Sequence, residues 1–456
     1  MMGVHEKQNE LWVEPVNLGR RIPAEHLLRR LQQVLDLSFV RGEVSACYGA
    51  NGNVSVDPVI IMKMMLLLFL DDVRSERELL RIIPLRIDYL WFLGYGLEDE
   101  VPHHSVLSKA RQRWGTEVFE RLFATTIEQC VTAGLVAGDK LHVDSSLVKA
   151  NASRAAVAAV VSVQMAKLEP VNEQYVNTTD PDSTVTRYTK GKPTPRYKNH
   201  RVLDDHTGVI TAMQSTTGIV DDGEPLVALV KQHEQRTGKR AQTVVADAKY
   251  GTTANFLTLQ QQGKTTHMGD LRDKLINPRS QGIYPAEQFT YDAQADHYTC
   301  PAGELIKHHH FHARRGYDEY RPAKGTCTHC PHRVQCTRDQ AGRSLKRYRG
   351  QELIDQGRAQ SHSEAGQKDR KRRQWFQERN FAEATTQHGF KTARWRRLWR
   401  QTIQDYLIAA IQNLKILIRH TLCPIQKIAK WCNPASLFTQ NRQAEPEMFY
   451  ELMLLA

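Results

Sequence analysis

A chain of 456 residues, 41% hydrophobic and 25% charged, is long enough for several domains with cores of their own and too apolar to be fibrous or disordered. Its net charge of +12 and isoelectric point near 9.3 point to a polyanionic partner. The excess is concentrated: residues 300–350 hold eleven Lys/Arg against four acids, and residues 369–400 hold ten against three. The polar first ten residues lead into no secretory h-region, and the apolar run 64–70 is far below the roughly 20 residues that span a bilayer. Eight cysteines in such a chain suit a reducing compartment, so a soluble intracellular protein without disulfides is expected.

Residues 1–22 show no clear period and read as an N-terminal arm. From Pro23 the apolar positions Leu27, Leu28, Leu31, Val34 and Leu35 recur at helical spacing. Asn51-Gly52-Asn53 is a predicted turn, and residues 59–70 a helix buried nearly all round. Ser75 and Glu78 form a capping box that opens a further helix. Another is expected from Ser105, carrying Lys109, Arg111 and Arg113, and a longer one over 116–133. Residues 23–138 are therefore predicted to form an all-α domain.

At residue 139 the period changes. Strands are expected at 141–143 and 244–245, and a hairpin at 201–203 and 209–212. Helices are expected over 155–168, 224–236 and 253–262, which makes an α/β domain with a mixed sheet over 139–280. Residues 281–350, rich in Gly, Pro, His and Cys, break the pattern. Helix returns over 351–420 and ends in an amphipathic stretch with Ile403, Leu407, Ala410, Leu414 and Leu417. Residues 421–456 form a tail with no readable role.

Three acids stand out. Asp144 and Asp247 each follow a Val-rich run, and Glu378 lies in a basic helical stretch. An Asp at a strand end is ordinarily a turn or cap residue, and a Glu in a basic helix is ordinarily a solvated ion-pair partner. Two such aspartates in one α/β segment shift that balance. Trp375, Glu378 and Ala382 share a helical face, so Glu378 is expected to point inward beside an aromatic, with its rival Glu383 outward. Converging, the three would hold two divalent ions, Mg²⁺ or Mn²⁺, and that arrangement cuts and joins phosphodiesters.

The segments 143–152 (Val-Asp-Ser-Ser-Leu-Val-Lys-Ala-Asn-Ala), 197–200 (Tyr-Lys-Asn-His), 246–251 (Ala-Asp-Ala-Lys-Tyr-Gly) and 378–384 (Glu-Arg-Asn-Phe-Ala-Glu-Ala) resemble those of bacterial insertion-sequence transposases of the DDE class. So do 393–399 (Ala-Arg-Trp-Arg-Arg-Leu-Trp) and 411–414 (Ile-Gln-Asn-Leu). Upstream, the segments 56–59, 74–79, 91–94 and 102–108 resemble the helical domain that precedes the catalytic domain there. The resemblance spans roughly residues 20–420. It implies an RNase H-like fold with Asp144, Asp247 and Glu378 as metal-binding catalytic residues. Two departures stand against it: Thr385 where many relatives have Lys, and Arg396-Arg397-Leu398 where relatives often have Arg-Gly-Leu. Lys391 and Arg394 are the substitutes for the missing lysine.

Cys300, Cys327, Cys330 and Cys336 lie within 37 residues, with the C-x₂-C spacing that lets two thiolates grip one ion. A zinc-ribbon-like module inserted between Asp247 and Glu378 is expected, in a segment with no apparent apolar core. His308, His309, His310, His312, His329 and His332 are alternative ligands, and scattered thiols or a redox pair are the bland readings. The helices from Ser75 and Ser105 suit a helix-turn-helix-like DNA reader with Lys109, Arg111 and Arg113 at its surface, or else a supporting bundle. Arg372, Arg373, Lys391, Arg394 and Arg396 are expected on phosphates.

The resulting expectation is an insertion-sequence transposase that binds inverted-repeat ends of double-stranded DNA, as a homodimer or higher oligomer, in the bacterial cytoplasm at the nucleoid. An RNase H-like nuclease without strand transfer and a catalytically silent DNA-binding descendant remain the alternatives.

Overall fold

A computed structural model describes residues 17–49, 55–159, 175–186, 192–270 and 282–422. The expected turn at 51–53, the first sixteen residues and nearly all of the tail lie outside these residues. The end of the expected arm is ordered as α1 (Leu18–Arg21), capped by the Asn17 side chain.

Helices α2 (Leu27–Val34), α3 (Val40–Val44), α4 (Pro58–Leu70), α5 (Glu76–Ile82), α6 (Ile87–Leu93), α7 (Ser105–Trp114) and α8 (Glu117–Thr132) form the N-terminal region. Asp57 caps α4 through the Val59 amide at 2.9 Å, with Pro58 at the first helical position, where its missing N–H costs nothing. Helix α4 is buried on every side, as its unbroken Met/Leu run dictates. Ser75 accepts the Glu78 amide at 3.2 Å and opens α5.

The next part of the chain forms a mixed six-stranded sheet. Its order runs from β4 (Thr184–Thr186) through β5 (Thr194–Asp204), β1 (Lys140–Lys149) and β7 (Thr243–Ala246) to β8 (Thr265–Met268), with β6 (Ile210–Thr217) also paired to β5. Strand β1 runs antiparallel to β5 and parallel to β7, and β7 runs parallel to β8. One face is covered by α9 (Leu226–Thr237) and α10 (Thr253–Gln261), whose Leu226, Leu229 and Phe256 pack on Leu141, Val143 and Val244. The expected helix over 155–168 is absent from its described part. A 3₁₀ turn at Arg154–Ala156 leads into β2 (Val157–Ala159), which pairs with β3 (Tyr175–Asn177). Alanine-rich sequence favours a helix locally, but the strand pairing prevails here.

Residues 282–350 fold as a second sheet, ordered β13-β12-β11-β10-β9: β9 (Thr290–Asp292), β10 (His297–Thr299), β11 (Leu305–His312), β12 (Tyr317–Pro322) and β13 (Leu345–Tyr348), with the short α11 (Arg333–Cys336). Contrary to expectation it owns a small apolar core of Phe289, Tyr298, Ile306, Tyr320, Cys336 and Leu345. Its aromatics are spread over short, polar-flanked strands, which hides them from a periodicity search.

Three helical segments close the fold: α12 (Gln351–His362), α13 (Glu364–His388) and α14 (Leu398–Thr421). Helix α14 shares one continuous core with the N-terminal helices, through Leu31, Phe119, Phe123, Leu407, Ile411 and Leu414. It is not amphipathic in its setting. Its polar side is buried as well, because Asp405 accepts from Ser215 at 2.6 Å, Gln412 accepts from Arg201 at 2.7 Å, and the Asn413 side chain bonds both backbone groups of Ile210.

At the start of α14, Arg397 has φ +80° and ψ 143°, a conformation that glycine adopts freely and other residues only under strain. It stands where relatives often carry glycine. Its amide donates to Asp180 at 2.9 Å and its guanidinium lies 3.4 Å from Asp182, while the Leu398 amide donates to Asp182. Arg397→Gly should raise stability by about 1 kcal/mol, because strain of about 1–3 kcal/mol exceeds the value of one exposed ion pair. The midpoint of urea unfolding would measure it, and an unchanged or lower midpoint would refute the strain.

Candidate active site

Asp144 lies in the middle of β1 rather than at a strand end, because pairing with β5 carries β1 on to Lys149. Asp247 follows β7 directly. The parallel register ends with His142 against Val245, two residues before each aspartate, and Asp247 lies near enough to act on the Asp144 carboxyl. Parallel neighbours run about 4.8 Å apart, so the sheet itself brings these carboxylates together. Burial foremost pushes the Asp144 carboxyl above its ordinary range; Arg373 opposes the rise and Asp247 adds to it.

The turn after Asp247 is held tightly. Asp247 accepts the Lys249 amide at 2.8 Å, and a Cβ on Gly251 would meet the Gly269 carbonyl at 1.9 Å, so only glycine fits there. Tyr250 is fully buried alongside. Asp222, which the sequence did not single out, lies buried in the loop before α9. It accepts from Ser145 Oγ at 2.6 Å and pairs with Lys198 and Lys249, each at 2.9 Å. A lone Asp in a Gly-containing loop reads as a turn, and only the fold reveals its partners.

Helix α13 lies across this face. Arg373 Nη1 reaches Asp144 Oδ2 at 2.5 Å, Gln377 donates to the His142 carbonyl, and the Phe376 ring stacks on His142. Glu378 does not point inward: it is exposed, as are Trp375 and Ala382, and it accepts from Gln374 one turn earlier at 2.9 Å. Glu383 is the half-buried one, paired with Lys415 at 2.5 Å. The expected facing is thus reversed, because the face bearing Asp369, Gln377, Asn380 and Ala384 docks on the sheet and the Trp375 face is left to solvent. At 100° per residue Glu378 shares a flank with Phe381, whose ring meets Phe390 next to Lys391. Lys391 in turn bonds Ser146, two residues beyond Asp144. Among the described residues Glu378 makes no contact with Asp144 or Asp247, so its exposed side chain is not brought to them here.

The other cations divide. Lys109, Arg113, Lys391 and Arg396 are exposed, and Arg372 is exposed while bonded to Asp205. Arg111 is not a surface residue: it is buried against Glu76 and stacks over Trp395 at 3.8 Å. Arg394 is likewise tied down, to Asp72 at 2.6 Å and over the Phe69 ring. Both join the N-terminal helices to the rest of the fold, and a guanidinium so engaged is not offered to phosphate. Helix α6 separates α5 from α7, and the Glu76–Arg111 pair links them. At the expected Lys position, Thr385 bonds back to the Phe381 carbonyl.

Cys300, Cys327, Cys330 and Cys336 line one small apolar cavity in the second sheet domain, and the neighbouring thiols contribute to raising Cys336, after burial. None of the six histidines lines that cavity. His308 and His312 pair instead with Asp318 and Glu319, and His332 with Tyr284.

Residues 16–113 match a transposase domain (DUF772), and residues 299–418 match a transposase DDE domain. The chain belongs to the DDE-type transposases. It is a DNA transposase, an enzyme that cuts and joins DNA strands. The second match contains Glu378, and both aspartates lie between the two matches. No curated protein matches the chain. Among solved structures, a piggyBac transposase in a synaptic complex with hairpin DNA is 9% identical, over 91% of this chain and 84% of that one, with a TM-score of 0.26; a likeness so low carries no argument. No described helix is long and apolar enough to cross a membrane.

Transposases with this domain generally use divalent metal. The donor set fits in part: two hard carboxylates share a site, whereas among the described residues no three His, Cys, Asp or Glu side chains form a metal-holding group.

Beneath this face, Asp205 sits at about 2 against an ordinary 3.8. Burial pushes its carboxyl up, but hydrogen bonds from His142 and Arg372 outweigh it. A depressed folded-state value means stabilisation that is complete above about pH 4 and lost as pH falls toward 2. Asp205→Asn should therefore flatten the transposase's loss of stability in that window. Unfolding midpoints that stay as acid-sensitive as those of the parent would refute this.

Proposed function

We propose that this transposase binds the inverted-repeat ends of its own element, hydrolyses a phosphodiester to free a 3′-hydroxyl, and directs that hydroxyl at target DNA. The single observation that supports this is the parallel pairing of β1 with β7, which ends two residues before Asp144 and Asp247. The strand order β6-β5-β1-β7-β8, with an antiparallel hairpin on one side of β1 and parallel strands on the other, supports an RNase H-like reading. Residues 139–280 and 351–420 are then its two parts, with 281–350 inserted and 23–138 a DNA-binding helical domain.

In this reading Asp144, Asp247 and Glu378 hold two Mg²⁺ or Mn²⁺ ions, which when bound would activate the attacking oxygen and stabilise the leaving one. Asp144 has to exchange Arg373 for that site, and the freed guanidinium becomes available to phosphate. Glu378 is brought in from its exposed flank by a change of rotamer, with only the Gln374 hydrogen bond to give up. Arg372, Lys391, Arg396, Lys109 and Arg113 position the DNA backbone. Two element ends require two such sites, hence at least a dimer on bacterial DNA.

We propose further that Cys300, Cys327, Cys330 and Cys336, which line one cavity without yet forming a metal-holding group, close on a structural zinc ion when it binds. Metal analysis should find one zinc per chain, lost on replacing Cys327 and Cys330 by Ser; metal-free wild-type protein would reject the site.

The test of function uses purified protein, Mg²⁺ and duplexes carrying the DNA that flanks its gene. Strand-transfer products are expected, falling at least about 10³-fold in Asp144→Asn, Asp247→Asn and Glu378→Gln. Cleavage without joining would instead identify a nuclease, and binding without cleavage a silent descendant.

A further inference from the structure

The metal-holding reading leaves one group beside the carboxylates unused. Asp222 is buried, yet it spends its carboxylate on three donors: Ser145 Oγ at 2.6 Å, Lys198 Nζ at 2.9 Å and Lys249 Nζ at 2.9 Å. The two lysines differ. Lys198 is nearly buried and also donates to the Val220 carbonyl at 2.5 Å, so it is fixed inside the fold. The Lys249 side chain is 67% exposed, with its ammonium opening to solvent beside the aspartates.

We infer that Lys249 is a catalytic residue that grips the scissile phosphate, and that Asp222 is the positioning residue that aims it. The inference rests on the reading of Asp144 and Asp247 as the metal-holding pair, since that pair fixes where the phosphate sits. Three features of the chain carry it. Lys249 lies two residues beyond Asp247, in a turn fixed by the Asp247–amide bond and by Gly251, so its stem starts from a rigid point. Asp222 is linked to Ser145, the neighbour of Asp144, so one carboxylate ties the lysine to both strands of the site. An exposed ammonium can also leave Asp222 for a phosphate oxygen, because Lys198 remains to neutralise the carboxylate left behind. Charge then accumulates on the non-bridging oxygens during attack and finds a cation already in place.

The test compares Lys249→Met, Lys249→Arg and Asp222→Asn with the parent, using the full chain and duplexes carrying the gene-flanking DNA. Exposure of Lys249 predicts that Lys249→Met folds with an unchanged melting temperature. Its single-turnover cleavage should fall about 10²-fold, with Lys249→Arg recovering at least a tenth of the parental rate. In Ca²⁺, where binding is read without turnover, the slope of log affinity against log salt should shrink by about 1 in Lys249→Met. A methylphosphonate at the scissile position should weaken the parent's binding but not that of Lys249→Met. Asp222→Asn should give an intermediate rate and spread the salt slope between the two.

Parental cleavage and salt slope in Lys249→Met, alongside inactive Asp144→Asn and Asp247→Asn, would overturn this inference while leaving the proposed function standing. Activity surviving in Asp144→Asn or Asp247→Asn would overturn the proposed function itself. If Asp222→Asn proves unfolded, Lys249→Met with the methylphosphonate duplex still decides the matter.

Discussion

Two carboxylates set side by side on neighbouring strands are the constraint around which the site is built. Asp247 adds to the rise that burial imposes on the Asp144 carboxyl, so the two charges disfavour one another. Cations must therefore be brought to them, and the fold supplies several: Arg373 on Asp144, Lys249 and Lys198 through Asp222, and Lys391 at Ser146. Such a site is pre-built for a strongly positive ligand, because metal ions relieve a repulsion that side-chain cations only offset.

The helix above the site needs an anchor of its own, and a fully buried arginine provides it. Arg201, the register partner of Asp144 on β5, donates to Asn199, to Asn380 on α13 and to Gln412 on α14. Its guanidinium also lies over the rings of Phe381 and Phe390, at 5.0 and 4.6 Å from their centres. One side chain thus fixes the height of α13 over the sheet, and with it Arg373 and the flank of Glu378. The same network explains why the polar half of α14 is interior. Asp405, Gln412 and Asn413 each find hydrogen-bond partners there, so their burial is not penalised as that of an unpaired polar group would be.

Much of this was legible before the fold was known. The helix over 59–70, the Ser75 helix start, the hairpin around residue 206 and the strand before Asp247 obey local rules of periodicity, capping and alternation, and the structure has them. Other elements followed tertiary partners instead. Asp144-Ser-Ser looks like the polar end of a strand, but β5 pairs with it to Lys149. The second sheet has strands of three to eight residues, whose aromatics meet only across the sheet. Glu378 was placed inward from a wheel that held a tryptophan, yet the face that docks is set by Gln377, Asn380 and Ala384. Arg111 and Arg394 read as free cations because nothing in their neighbourhood in sequence names Glu76 or Asp72 as partners.

The sequence by itself determined the chemistry: the acids, the basic stretches around them and the four cysteines are residue types whose roles follow from charge and ligand preference. It also determined most helices, since periodicity and caps act within a few residues. The tertiary structure decided which of these groups meet. Registering His142 against Val245 spans 103 positions, and pairing Arg201 with Gln412 spans 211, so neither can be inferred from a local window. It also decided that Asp222 belongs to the site, because a carboxylate acquires that role only from the two lysines and the serine that packing brings to it.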